Sequence, residues 1–131
     1  MATPTTQVMG EKIILDSNAL IYYVKGIINL EKPFFMNNQV MVSVITEMEV
    51  LGYELTEIEQ LHYDKVFKKL KIIQIDKAIV NSVIQIRRKF KIQLPDAIIA
   101  TTCLENEAVL MTANTKDFSK IPDLKLINPL K

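Results

Sequence analysis

Short apolar runs alternate with longer stretches of helical periodicity along most of this chain, and that alternation points to a parallel α/β sheet. The first run, residues 12–16, reads Lys-Ile-Ile-Leu-Asp. It is apolar on both faces, as a central parallel strand covered by helices on both sides must be. Residues 40–44, 71–75 and 108–112 repeat the pattern, and 125–128, closed by Pro129, reads as a last edge strand. Periodicity predicts helices over 19–25, 46–55, 56–70, 77–91 and 96–107. Ser17 or Asn18 can cap the first, with Asp16 as a further candidate for that cap. Thr56-Glu57-Ile58-Glu59 fits a capping box, Asp76 is a cap, and Pro95 marks a helix start. Val44, Met48, Leu51 and Leu55 predict one core stripe; Ile79, Val83, Ile86 and Phe90 predict another. Residues 27–38, with Pro33 and Asn37-Asn38, read as a helical turn and a loop, and 114–119 as a turn. The expected architecture is a three-layer α/β sandwich around a mostly parallel sheet of about five short strands.

A chain of 131 residues holds one domain. Residues 1–10 are polar and aperiodic and read as a flexible lead, with the domain over 11–131. At 49% hydrophobic and 24% charged, the composition excludes disordered and fibrous classes. The longest apolar run, 19–24, is far short of the ~20 residues that span a bilayer, and the N-terminus lacks a secretory pattern, so a cytoplasmic location without membrane contact is expected. Cys103 and His62 are single, which excludes an internal disulfide and a Cys/His zinc site. Sixteen basic residues against fifteen acidic ones leave +1, so nucleic acid must be met by a local patch.

Ligands of open α/β sheets gather at the carboxyl ends of the strands. Asp16 ends the first strand, Glu47 and Glu49 follow the second, Asp96 opens a helix, and Asp117 follows the fourth strand. These acids are distant in sequence and converge only if the strands run parallel. Carboxylates so gathered repel one another unless a divalent cation sits among them, and an all-oxygen set favours hard cations over zinc. Glu47 and Glu49 stand about 200° apart on a helix, so only one of them can face such a site, and periodicity does not say which.

Four segments carry a resemblance. Ile14-Leu15-Asp16-Ser17-Asn18, Ser43-Val44-Ile45-Thr46-Glu47-Met48-Glu49-Val50-Leu51-Gly52, Leu94-Pro95-Asp96-Ala97-Ile98-Ile99-Ala100 and Met111-Thr112-Ala113-Asn114-Thr115-Lys116-Asp117-Phe118 occur in order over residues 11–129. In this the chain resembles PIN domains of the VapC toxin family, the Mg²⁺-dependent ribonucleases of toxin–antitoxin pairs. The resemblance implies that Asp16, Glu49, Asp96 and Asp117 bind the metal, Mg²⁺ or Mn²⁺ in its place, and are catalytic. It puts Ser17, Thr112 and Asn114 beside them as polar supports, with Asn114 standing where relatives often carry Asp. The implied reaction is hydrolysis of an RNA phosphodiester, tRNA being a common target, by a metal-activated water. It leaves a 5′-phosphate and a 3′-hydroxyl, and no Ser/His or Cys/His pair is on hand for a covalent route.

Arg87, Arg88, Lys89 and Lys91 form the densest basic run and, with Lys116 and Lys120 around Asp117, are candidates for RNA phosphates. Residues 20–24 are apolar around the whole helix, and Ile27, Ile28, Phe34, Phe35 and Met36 follow. Such a surplus suits a fully buried helix or a partner groove, which the resemblance would fill with a VapB-type antitoxin and a second toxin copy in a homodimer. Two rival readings stand beside the nuclease. One is a receiver-type phosphoacceptor domain using Asp76, which would need a second acid where Ser17 follows Asp16. The other is a catalytically inactive PIN scaffold.

Overall fold

The computed structural model describes residues 8–130. Five strands, β1 (Lys12–Leu15), β2 (Gln39–Ser43), β3 (Lys71–Ile73), β4 (Val109–Met111) and β5 (Leu126–Ile127), form one sheet in the order β3-β2-β1-β4-β5. Every neighbouring pair is parallel. β1 lies at the centre, with Ile14 opposite both Met41 and Leu110.

Because side chains alternate across a strand, the unbroken apolar sequence of β1 feeds two cores. Ile13 and Leu15 join Val40 and Val42 against Leu20, Phe34, Val50, Tyr63 and Phe67 on one face. Ile14 and Met41 join Ile99, Cys103, Leu110 and Phe118 on the other. The first face is covered by α1 (Ser17–Val24), α2 (Lys32–Asn37), α3 (Val44–Leu51) and α4 (Glu57–Lys69); α6 (Leu94–Glu105) and α7 (Thr115–Phe118) cover the second. α5 (Lys77–Lys89) packs against α6 through Ile79, Val83, Ala97 and Ile98. Ile13, Ile14 and Leu15 are fully buried, each worth roughly 2–3 kcal/mol of transfer free energy. The expected three-layer sandwich is present, with the sheet wholly parallel.

Four local expectations are corrected. Asp16, not Ser17 or Asn18, caps α1: its backbone is extended and its Oδ1 accepts from the Ala19 N–H at 2.7 Å. Residues 32–37 form a helix rather than a loop because Pro33 sits in the first turn, where its missing N–H costs nothing. α3 begins at Val44, straight off β2, with Ser43 as cap, and its buried residues are Thr46 and Val50 while Met48 is 54% exposed. The core face is therefore turned away from the expected Val44–Met48 stripe. The expected turn after β4 contains the single helical turn of α7. The Thr56–Glu59 capping box, the Asp76 cap and the inward Ile79 and Val83 are as the sequence predicts. Of the lead, residues 1–7 lie outside the described residues, and the Val8 carbonyl accepts from Asn38 Nδ2 at 2.7 Å.

Gly52 ends α3 where a Cβ would meet the Met48 carbonyl oxygen at 2.6 Å. Only glycine closes that helix without displacing backbone close to Glu49.

Candidate active site

The chain leaves β1 toward β2 on one side and leaves β4 toward β5 on the other, so a crevice opens between the carboxyl ends of β1 and β4. Asp16 stands at one lip, directly after β1, and Thr112 at the other, directly after β4. Thr112 Oγ1 donates to Asp16 Oδ2 at 2.5 Å, and the same oxygen accepts from the Asn114 N–H at 2.9 Å. Asp16 is 5% exposed, and burial holds its carboxyl above the ordinary range even though Thr112 and the Ala19 N–H favour the charged form.

Three further carboxylates stand on three helices, α3, α6 and α7. Glu49, on the last turn of α3, accepts from Ser17 Oγ at 2.7 Å, and Ser17 Oγ lies 3.2 Å from Thr46 Oγ1. Asp117, exposed on α7, accepts from Asn114 Nδ2 at 3.0 Å. Asp96 lies in the first turn of α6, which Pro95 starts without a side-chain cap. Its carboxyl is raised by burial first, then by the charges of Asp16, Asp117 and Glu49, with Lys120 opposing them. The charges of residues 16, 49 and 117 are therefore all felt at Asp96.

Each expected polar support is tied to a different acid: Thr112 to Asp16, Ser17 to Glu49, Asn114 to Asp117. Among the described residues no side-chain hydrogen bond engages Asp96. Glu47, the alternative on α3, is half-buried and makes none either. Among the described residues no three His, Cys, Asp or Glu side chains close around a common point. The donor set is nonetheless all oxygen, backed by hydroxyls and an amide, which fits a hard divalent cation and not zinc.

The basic residues separate into two groups. Arg87, Lys91 and Lys120 line a cleft of about 410 Å³ together with Gln93, Asp96 and Asp117, and Lys120 Nζ donates to the Lys91 carbonyl. Arg88, Lys89 and Lys116 are exposed and do not line it. Gln93 was not anticipated; it is the residue that ends the α5–α6 loop, and nothing in its sequence context marks it. Cys103 is fully buried, which pushes its thiol far up, and it serves packing.

Residues 13–124 match the family model of the PIN domain. The chain belongs to the PIN domain family. PIN domains are nucleases. This PIN domain is similar in fold to VapBC2 from Rickettsia felis solved with a DNA fragment from its promoter, at TM-score 0.75 and 23% identity, over 88% of this chain and 97% of that one. It is similar also to a toxin–antitoxin complex from Klebsiella pneumoniae, at TM-score 0.70 and 26% identity, over 90% and 98%. VapBC-1 from nontypeable Haemophilus influenzae gives TM-score 0.73 and 23% identity, over 92% and 99%. No curated protein matches the chain by sequence.

The receiver reading falls with the topology. In that doubly wound order, 2-1-3-4-5, the third strand adjoins the first; here β3 is an edge strand separated from β1 by β2. Asp76 is committed to capping α5 through the Ile79 N–H at 2.9 Å.

Proposed function

We propose that this PIN domain is a VapC-type toxin, a Mg²⁺-dependent endoribonuclease of the cytoplasm restrained by a VapB-type antitoxin. The observation that supports the reading is Asp96, a carboxyl raised by burial and then by the charges of Asp16, Asp117 and Glu49, on a parallel sheet with a topological switch point. Asp16, Glu49, Asp96 and Asp117 would hold the ion. Mg²⁺, or Mn²⁺ in its place, supplies counter-charge to the phosphodiester and acidifies a water when bound. Asp16 is anchored on both oxygens by Ala19 and Thr112, Glu49 by Ser17, and Asp117 by Asn114. Asp96, free of such bonds among the described residues, would take the proton of the attacking water. Arg87, Lys91 and Lys120 line the same cleft and would engage the flanking phosphates of an RNA strand. Hydrolysis leaves a 5′-phosphate and a 3′-hydroxyl, structured RNA such as tRNA being the substrate class.

Support for the partner comes from the other end of the sheet. A groove of about 670 Å³ near the start of β2 and β3 is lined by Tyr23, Leu30, Phe35 and Met36, with Lys32, Lys69 and Lys71 among its polar residues. Met36 is 72% exposed and Ile27 57%. The run 20–24 is thus not a fully buried helix, since Ile21 to Val24 remain half-buried. Such a groove suits an amphipathic antitoxin segment, and a second toxin copy would complete a homodimer. Among the described residues no helix is long and apolar enough to cross a membrane.

Purified protein incubated with a small-RNA pool in Mg²⁺ tests the activity, beside EDTA and Asp96→Asn. Cuts with 5′-phosphate ends that vanish in both controls are expected. Mg²⁺-loaded, antitoxin-free protein that cuts no RNA in a pool containing intact tRNA would leave the inactive scaffold as the better reading.

A further inference from the structure

We propose that Thr46 is a positioning residue that orients Glu49 through Ser17, an inference that rests on the carboxylates being a metal site. Thr46 is fully buried on α3, its Oγ1 lies 3.2 Å from Ser17 Oγ, and Ser17 Oγ lies 2.7 Å from Glu49 Oε1. A hydroxyl has one proton to give, and a carboxylate is the stronger acceptor, so the Ser17 proton goes to Glu49. That leaves a lone pair of Ser17 Oγ as the acceptor for the Thr46 proton. The three oxygens form a short directed chain that starts in the core, crosses from α3 to the first residue of α1, and returns to α3 at Glu49.

The side chain of Glu49 turns about three torsions and is half-buried. Ser17 holds one of its oxygens but can itself rotate about χ1, and Thr46 removes that freedom. β-branching leaves χ1 of Thr46 two rotamers in a helix, and full burial leaves little room to exchange them, so the start of the chain is stiff. A valine would fill the same volume; what only the hydroxyl adds is direction. Residues that orient a ligand in this way change metal affinity when removed, even though they never touch the ion.

The test is Mn²⁺ titration of the full chain by calorimetry, with thermal melts in metal-free buffer, for wild type, Thr46→Val, Thr46→Ser, Ser17→Ala and the Ser17→Ala/Thr46→Val double variant. Thr46→Val is expected to weaken Mn²⁺ binding about tenfold, without a fall in melting temperature, and Thr46→Ser to restore it. The double variant should bind no more weakly than Ser17→Ala alone, because Thr46 acts only through Ser17. Equal affinity in wild type and Thr46→Val, or losses that simply multiply in the double variant, would overturn the proposal. If Thr46→Val does not fold, Thr46→Ala against Thr46→Ser makes the same comparison. Wild type that binds no Mn²⁺ at all is a different result, and it removes the metal reading itself.

Discussion

Thr112 Oγ1 donates to Asp16 Oδ2 across 96 residues of sequence, joining the carboxyl ends of β4 and β1 at the point where the order of strands reverses. The bond does two things at once. It gives a buried carboxylate a donor it needs, and it fixes which way that carboxylate faces.

Thr112→Val removes the donor and keeps the shape. Asp16 then loses one of its two hydrogen bonds while staying buried, which costs about 1–3 kcal/mol of stability above the carboxyl's titration range. Metal affinity is expected to drop about 10–100-fold, and Thr112→Ser to recover most of both. Chemical denaturation and Mn²⁺ titration of the three proteins measure the two effects separately.

Asp16 and Asp96 both titrate above ordinary carboxylates, so in that range the native state holds protons the unfolded chain has released. The metal-free protein is therefore expected to gain stability from these two groups as pH falls through their raised native values. The gain is complete once the ordinary carboxylate value near ~3.9 is passed. Asp96→Asn removes its share. In EDTA at neutral pH it should melt higher than wild type, and the difference should close on acidification. Solvent screening at this half-exposed group keeps the gain below about 1 kcal/mol, on the order of 2 °C. Saturating Mg²⁺ should reverse the ranking, since an ion at 100-fold its Kd adds about 2.7 kcal/mol to the protein that binds it. Melting curves with and without Mg²⁺ across pH decide it.

Asp16 and Asp117 differ in what else they do. Asp16 caps α1 from a buried position, whereas Asp117 is exposed on α7. Asp16→Asn keeps a capping oxygen and Asp16→Ala does not, so the alanine variant should be less stable than the asparagine variant by about 1 kcal/mol. Asp117→Ala should stay within about 0.5 kcal/mol of wild type. All three are expected to lose RNA cleavage, so urea denaturation separates the structural acid from the purely chemical one.

Much of this arrangement is legible in the sequence. Apolar residues on both faces of β1 require a two-sided sheet, and parallel strands bring the segments that follow β1, β2 and β4, with Asp16, Glu49 and Asp117, to one edge of it. The misses are local and share a cause. Thr46 carries no core signal because a hydroxyl scores as polar; its partner, Ser17, lies 29 positions away and is visible only in three dimensions. Pro33 favours a loop over residues 27–38 because nothing in sequence says that it opens a helix rather than ends one. Glu47 and Glu49 could not be separated by periodicity, since the facing side is set by where α3 leaves β2, one residue after the register of Ser43 with Ile73. The basic run could not be divided either, because which of its side chains faces the acids depends on how α5 turns into α6.

Arg87, Lys91 and Lys120 line the cleft that holds Asp96 and Asp117, and Arg88 does not. A side chain that neutralises a phosphate releases a counterion, so each one removed from a single-strand site should reduce the slope of log affinity against log salt by about 0.7. Arg87→Ala and Lys120→Ala, measured for RNA binding in an Asp96→Asn background, which is expected not to cleave, should each show that reduction. Arg88→Ala should keep the wild-type slope, losing at most a little affinity through the general field. Equal slopes for all three variants would mean that RNA does not run through this cleft, and a reduced slope for Arg88→Ala alone would put the strand on the outer face of α5.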